Sequence, residues 1–173
     1  MPLWRLRRAS EDDAAAVALV AGATFLETFA GILPGPDIVA HVARKSAPAQ
    51  FAAWAAEDGS IVTLAELEQG GAPVGYSVLT RPELPIDTSP DDVELRRIYA
   101  LGRFHGQGLG PAMMAEAVDA TRMMGRRRMW IGVLAANARA KAFYEKHGFR
   151  LAGTRRFLVG ASWFDDVVYA RDL

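Results

Sequence analysis

The 173-residue sequence contains no cysteine. That absence excludes a disulfide scaffold, a thiolate metal site and a cysteine nucleophile together, and it is compatible with a reducing cytoplasm. An excess charge of one sign is also missing. Twenty basic residues balance twenty acidic ones, so no global field draws the chain to nucleic acid or to an anionic membrane. No apolar run reaches the length of a bilayer span, and the opening MPLWRLRRAS puts arginines where a signal peptide needs its apolar stretch. A soluble, cytoplasmic protein is expected. The three histidines, His41, His105 and His147, lie far apart without metal-ligand spacing, so no metal site is expected. Internal repeats and linker-like stretches are lacking too, and the length suits one domain over residues 1–173.

What is present is an ordinary globular composition, 51% apolar and 23% charged, which argues against extended disorder. Leu3 and Leu6 among arginines suit a short opening strand, and Ser10 with Asp13 resembles a helix cap. Val17, Leu19, Val20, Phe25, Leu26 and Phe29 then recur at helical spacing until Gly31 and the Pro34-Gly35-Pro36 cluster, which predicts a helix from near Glu11 to near Ala30. Two shorter helices are read over 38–45 and 49–57, with Pro48 between them. The period then becomes extended: 61–64 and 74–79, separated by Gly70-Gly71, form a predicted hairpin. Residues 81–92, with three prolines, read as an exposed connection. A strand over 93–100, a glycine-rich turn and a helix bearing Met113, Met114, Ala117, Val118, Thr121 and Met124 follow. Next come a strand over 129–133, a helix from 136 to 147 stopped by Gly148, and closing strands over 151–159 and 163–170. The layout is α/β throughout.

The chemistry-bearing segment is the predicted strand Glu94 to Ala100 followed by His105-Gly106-Gln107-Gly108-Leu109-Gly110 and an amphipathic helix. Glycines let a backbone fold tightly with its N–H groups turned inward, and the helix start adds partial positive charge, so this turn can hold a pyrophosphate without dedicated lysines. A P-loop would need a Gly-Lys-Ser/Thr ending, which is absent, and a dinucleotide-binding fingerprint would need glycine where Pro111 stands. Proline is at home in a first helical turn, so Pro111 also marks the helix start.

The remaining pattern resembles the Arg/Gln-x-x-Gly-x-Gly/Ala motif of the GNAT N-acetyltransferases, mapped onto His105, Gly108 and Gly110. His105 departs from the usual Arg or Gln, and Pro111 lacks an N–H. Asn137-Ala138-Arg139-Ala140-Lys141-Ala142-Phe143-Tyr144-Glu145-Lys146-His147-Gly148-Phe149 closely resembles the second signature of that family. Asn137, Lys141 and Tyr144 share one helix face. The resemblance is good from Ile61 to the end of the chain and holds only in outline before it. There, Thr24 to Phe29 and the segment after Asp37 look similar to the polyamine and small-amine subgroup.

The resemblance implies an α/β fold of the α+β GNAT kind: a central mixed, mostly antiparallel sheet of about seven strands, flanked by helices and splayed at the acetyl-CoA site. It further implies that Ile98, Tyr99 and Ala100 pair with the pantetheine arm through their backbone. His105, Gly106, Gln107, Gly108, Leu109 and Gly110 would hold the pyrophosphate. Asn137 would bond the pantetheine, Lys141 would approach a coenzyme phosphate, and Tyr144 would sit beside the thioester sulfur. Read without the resemblance, Asn137 is a helix cap and Phe143 a core aromatic.

An amine of pKa about 10.4 is only about 0.1% neutral near pH 7.4, so a base is needed; Glu94 is the first candidate, with Glu27 and Glu66 outsiders. Tyr144 is the candidate acid for the leaving thiolate, and a backbone N–H near Tyr99 or Ala100 on a bulged strand is the expected oxyanion donor. The expected acceptor is a small amine or polyamine, with acidic lining from Glu27, Glu66 or the 87–94 stretch. The alternatives are a protein N-terminus or lysine and, from another class, a non-catalytic acyl-CoA sensor. A homodimer is among the assemblies open to it. Arg126-Arg127-Arg128 reads as a solvated helix end rather than an RNA or phosphate contact, and Trp163 and Phe164 as core rather than acceptor wall.

Overall fold

The structure, a computed structural model, describes residues 2–173. In chain order the elements are β1 (Trp4–Arg8), α1 (Ala14–Phe29), α2 (Gly35–Lys45), α3 (Pro48–Ala56), β2 (Ile61–Leu67), β3 (Pro73–Thr80), β4 (Asp92–Ala100), α4 (Leu109–Met123), β5 (Arg128–Leu134), α5 (Ala138–Lys146), β6 (Arg150–Val159) and β7 (Ser162–Asp172). The strands form one seven-stranded sheet in the order β1-β2-β3-β4-β5-β7-β6. Neighbours run antiparallel except β4 and β5, which are parallel.

Helix starts follow the local chemistry. The Ser10–Asp13 capping box forms, and it opens a single 3-10 turn over Glu11–Asp13 before α1 becomes regular at Ala14. Asp13 is drawn back by the Ser10 N–H and by Arg7, which grips both carboxylate oxygens at 2.7 and 2.9 Å. Pro36 and Pro48 fall in the first turns of α2 and α3 rather than outside them. A first-turn N–H has no partner within its helix, so proline costs nothing there, and both helices begin earlier than their apolar periodicity suggests. On α1, Val17, Val20, Phe25 and Phe29 face the interior, whereas Leu19 and Leu26 stay exposed.

The sheet is covered on both faces. On one, Leu95, Ile131 and Tyr169 pack under Met114 and Val118 of α4 and Tyr144 of α5. On the other, Leu64, Tyr76 and Val78 pack under Val17 and Val20 of α1 and Phe51 of α3. The connection over 81–92 is less exposed than expected, because Leu84 is buried against Trp130 and Val168.

Two irregularities in β4 set the shape of the sheet at its open end. Leu79 pairs with Leu95 but Val78 pairs with Arg97, which leaves Arg96 as an extra, bulged residue. Pairing between β4 and β5 is limited to Asp92–Glu94 against Arg128–Trp130. Beyond that the two strands diverge, and the sheet opens into a V whose arms are Leu95–Ala100 and Ile131–Leu134.

Candidate active site

The turn at the open end of β4 presents unused donors. Gly106 and Gly108 have φ of +76° and +86°, in the left-handed region that side-chain-bearing residues avoid. The first regular bond of α4 runs from the Ala112 N–H to the Gly108 carbonyl. Among the described residues, the N–H groups of Gly106, Gly108, Leu109 and Gly110 have no hydrogen-bond partner, whereas the Gln107 N–H leans on the Phe104 carbonyl at 3.4 Å. Four uncommitted amides at a helix start form a nest for an anion. His105 turns its ring inward, with Nε2 2.8 Å from the Ala100 carbonyl, and ties the turn to the strand end. The Gln107 side chain likewise donates to the Arg103 carbonyl.

Across the gap, α5 leaves the end of β5. The Asn137 side-chain oxygen accepts from the Ala140 N–H at 3.1 Å, so Asn137 is the helix cap. That bond uses the oxygen and leaves the side-chain NH2 as a donor. Phe143 packs at the start of α4, where a Cβ on Gly110 would lie 3.4 Å from its ring. The two signature helices therefore touch through the third glycine of the turn. Lys141 is half-exposed on α5 and Tyr144 is buried. Burial pushes the Tyr144 phenol well above its ordinary value, and nearby Tyr99 adds to the rise. Its hydroxyl makes no side-chain hydrogen bond among the described residues. It is not sealed either, since His147 Nε2 is the one fully buried side-chain polar atom there without a partner. Tyr99, on the Leu95–Ala100 arm, lies near enough to act on that phenol.

The structure thus brings Ile98, Tyr99 and Ala100 on one arm, the 105–110 turn at its end, and Asn137 and Tyr144 beyond the other arm around one gap. Glu94 lies at the closed end of the V, where it pairs with Trp130. Its Oε2 accepts from the Glu83 N–H at 2.8 Å and from Arg96 at 3.4 Å, while Oε1 has no partner and is not sealed. The bulge falls at Arg96, before Tyr99 and Ala100 rather than at them.

Other expected residues lie elsewhere. Glu66 is on β2, held by Arg5 at 2.6 Å and Arg7 at 3.0 Å near the far edge of the sheet, and it does not line the V. Glu27 spends Oε2 on the Gly102 N–H at 2.7 Å, fastening α1 to the loop after β4. The Arg126 to Arg128 run sits past the C-terminal end of α4, remote from the turn; Arg126 bonds the Pro90 carbonyl and Arg128 pairs with Asp172 at 2.6 Å. Trp163, expected in the core, is 57% exposed beneath Arg156, because it faces outward on the β6–β7 hairpin.

Sequence reasoning missed the charged floor on the side opposite α4 and α5. Arg155 on β6 donates through Nε to Asp166 on β7 at 3.1 Å, with both side chains mostly buried. Burial raises the Asp166 carboxyl, and Arg155 partly offsets the rise. Asp166 in turn adds to the upward shift that burial gives Tyr99. Arg97 donates to Ser46 Oγ and the Lys45 carbonyl. His41 stacks on Phe25 at 4.3 Å, and burial together with Arg97, Lys45 and Arg44 lowers it to about 4. The available signal was Gly132, a glycine inside a predicted strand, which marks close approach by another group.

Among the described residues, no helix is long and apolar enough to cross a membrane, and no group of three or more His, Asp or Glu side chains could hold a metal ion. The acetyltransferase (GNAT) family matches over residues 29–149. An uncharacterized N-acetyltransferase of Mycobacterium tuberculosis is 33% identical over 161 residues, covering 93% of this chain and 98% of that protein. The PaiA N-acetyltransferase from Thermoplasma acidophilum, solved in complex with coenzyme A, superposes with a TM-score of 0.81 at 17% identity, covering 98% of this chain and 99% of that one. A ribosomal-protein-alanine N-acetyltransferase from Brucella melitensis superposes with a TM-score of 0.73 at 24% identity, covering 98% and 99%.

Proposed function

The chain belongs to the GNAT acetyltransferase family and is an acetyl-CoA-dependent N-acetyltransferase, and from that premise we propose that its acceptor is the primary amine of a small molecule in the cytoplasm. The observation that carries the site assignment is the set of four uncommitted amides at Gly106, Gly108, Leu109 and Gly110, met by α5 through Phe143 and standing at the end of the arm whose Tyr99 lies near the Tyr144 phenol. Acetyl-CoA supplies the activated acetyl group; everything else is the work of the chain.

The turn amides hold the diphosphate, and Lys141 on α5 offers a charge to a coenzyme phosphate. The backbone of Ile98 to Ala100, which has no partner strand on its β5 side, pairs with the amides of the pantetheine arm. The Asn137 NH2, left free by the cap, donates to the same arm. In the reaction the amine nitrogen bonds to the acetyl carbon, the carbon–sulfur bond breaks, the amine gives up a proton and sulfur leaves as a thiolate that solvent protonates. Glu94 takes the amine proton through Oε1, directly or through water. Tyr144 stands at sulfur. Because its phenol lies above the ordinary tyrosine range, while a thiol sits near 8.5, complete proton transfer is uphill and hydrogen-bond donation to the departing sulfur is the role this environment favours. Positioning both reactants in one gap supplies much of the acceleration.

The rival acceptor is a protein N-terminus, kept in view by the Brucella melitensis likeness. Release of free thiol across a panel of small amines and alanyl peptides, with Tyr144→Phe as control, separates the readings. Turnover on small amines that collapses in the variant supports the proposal. Turnover confined to peptides would replace the acceptor, and coenzyme binding without turnover on any amine would leave a sensor.

A further inference from the structure

Gly132 lies within β5, in the half that has parted from β4. A Cβ there would sit 2.6 Å from Arg155 Cζ, so no other residue leaves room for the guanidinium. Arg155 starts on β6, crosses Asp166 of β7 and ends against β5, spanning three strands to reach the floor of the V. An interior strand glycine sacrifices packing and conformational entropy. Here the return is one cation seated beside the gap.

The seat is built to orient that cation. Asp166 takes the Nε edge, and the Phe157 ring lies 5.0 Å from Cζ. Neither Nη has a partner among the described residues and neither is sealed, so both keep donors for a ligand beside Gly132. A guanidinium fixed along one edge offers its remaining donors as a planar fork, the geometry that matches a carboxylate or phosphate. Arg97 spends its donors on neutral oxygens and keeps its charge uncompensated, and with Lys45 and Arg44 it adds to the burial that lowers His41. A polycation would meet that unpaired positive charge.

We infer that the Arg155 fork, admitted by Gly132 and oriented by Asp166, binds an anionic group of the acceptor, so that the substrates are small amines that also carry a carboxylate or similar anion. This rests on the reading of the V as an amine acetyltransferase site and replaces the polyamine expectation with the opposite charge class. Asp166 is a positioning residue here, since it acts through Arg155.

The test uses matched pairs: α-amino acids against the amines left when their carboxylate is removed, with spermidine as the polycation. Turnover is read as free thiol, and binding of the same compounds to coenzyme A-loaded protein by saturation-transfer NMR. The carboxylate-bearing members are expected to exceed their partners in kcat/KM by about 10- to 100-fold, the scale of a charge-assisted pair. Arg155→Ala should collapse that ratio toward one. Arg155→Lys, which keeps charge without the fork, should recover only part of it and serves if the alanine variant folds poorly. Gly132→Ala should act like Arg155→Ala by unseating the guanidinium. Equal performance within pairs, preference for spermidine, an unchanged ratio in the Arg155 variants, or no binding by any member would overturn the inference. Carboxylate binding that depends on Arg155 without turnover would uphold it while sinking acetyl transfer. Turnover indifferent to the anion would do the reverse.

Discussion

The proposed chemistry turns on one hydroxyl, that of Tyr144. Burial and the neighbouring Tyr99 hold its phenol protonated beyond the ordinary tyrosine range, so it remains a donor at every pH where an amine acceptor becomes neutral. Tyr144→Phe removes the hydroxyl and keeps the ring that packs on Phe143 and Phe149. The expected outcome is a fall in kcat of about 100-fold, within the usual range for a positioned acid or donor, and a coenzyme Kd changed by no more than about twofold, measured by calorimetry. The pH profile sharpens the point. Wild-type kcat should rise with amine deprotonation and show no falling limb below about pH 10; a limb centred lower, and missing in the variant, would mean that the phenol titrates in the working range. At the same scale, Asn137 is compatible with both readings that the sequence leaves open, because its oxygen caps α5 while its NH2 is left as a donor.

Elements rather than residues explain what the sequence made legible. The turn between β4 and α4 was readable because glycine spacing and helix starts are local properties, and the Asn137 to Phe149 pattern marked the helix that meets it, although the contact is made by Phe143 and not by the Asn137, Lys141 and Tyr144 face. The seven-stranded mixed sheet was expected through the resemblance and is present. What escaped is non-local. Period-2 alternation says which face of a strand is buried but not which strand lies two places away, so Arg155 reaching Gly132 across β7 could not be read from either segment alone. The clip on α2 escaped for the same reason: Asp37 accepts from Ser162 Oγ at 2.5 Å and from the Ala161 N–H at 3.1 Å, fastening α2 to the β6–β7 hairpin. His41, on the same helix, gives this junction a pH signature. Its folded value of about 4 lies below the ordinary 6.5 because burial and the charges of Arg97, Lys45 and Arg44 disfavour the imidazolium. The unfolded chain therefore binds the proton first, so stability is complete above about pH 6.5 and is lost as pH falls toward 4, by of the order of 3 kcal/mol. Denaturation midpoints taken across that window should drop more in the wild type than in His41→Phe, and equal slopes would assign the effect to other groups.

On the scale of the whole molecule, one sheet joins β1 at one edge to β6 at the other, and we propose that residues 1–173 unfold as one cooperative unit, visible as a single calorimetric transition. The V is the place where that unity is weakest, since three paired residues on each strand are all the ladder that β4 and β5 share. A coenzyme seated between Ile98–Ala100, the glycine turn and Asn137 would join the two arms, and a ligand that binds only the folded state must stabilise it. At a coenzyme concentration about 100 times its Kd the gain is about 2.7 kcal/mol, which for a chain of this size raises Tm by about 5–10 °C. Gly108→Ala gives the control. Its φ of +86° leaves open space around the new methyl, so the cost is backbone strain of about 1 kcal/mol rather than a clash, and apo Tm should fall by a few degrees. Relaxing that strain turns the amides of the nest away from one another, so the coenzyme-dependent rise should shrink well below the wild-type value. Scanning fluorimetry of both proteins with and without coenzyme A reads the two effects separately. A full rise in the variant would mean that the nest at 106–110 is not what grips the diphosphate.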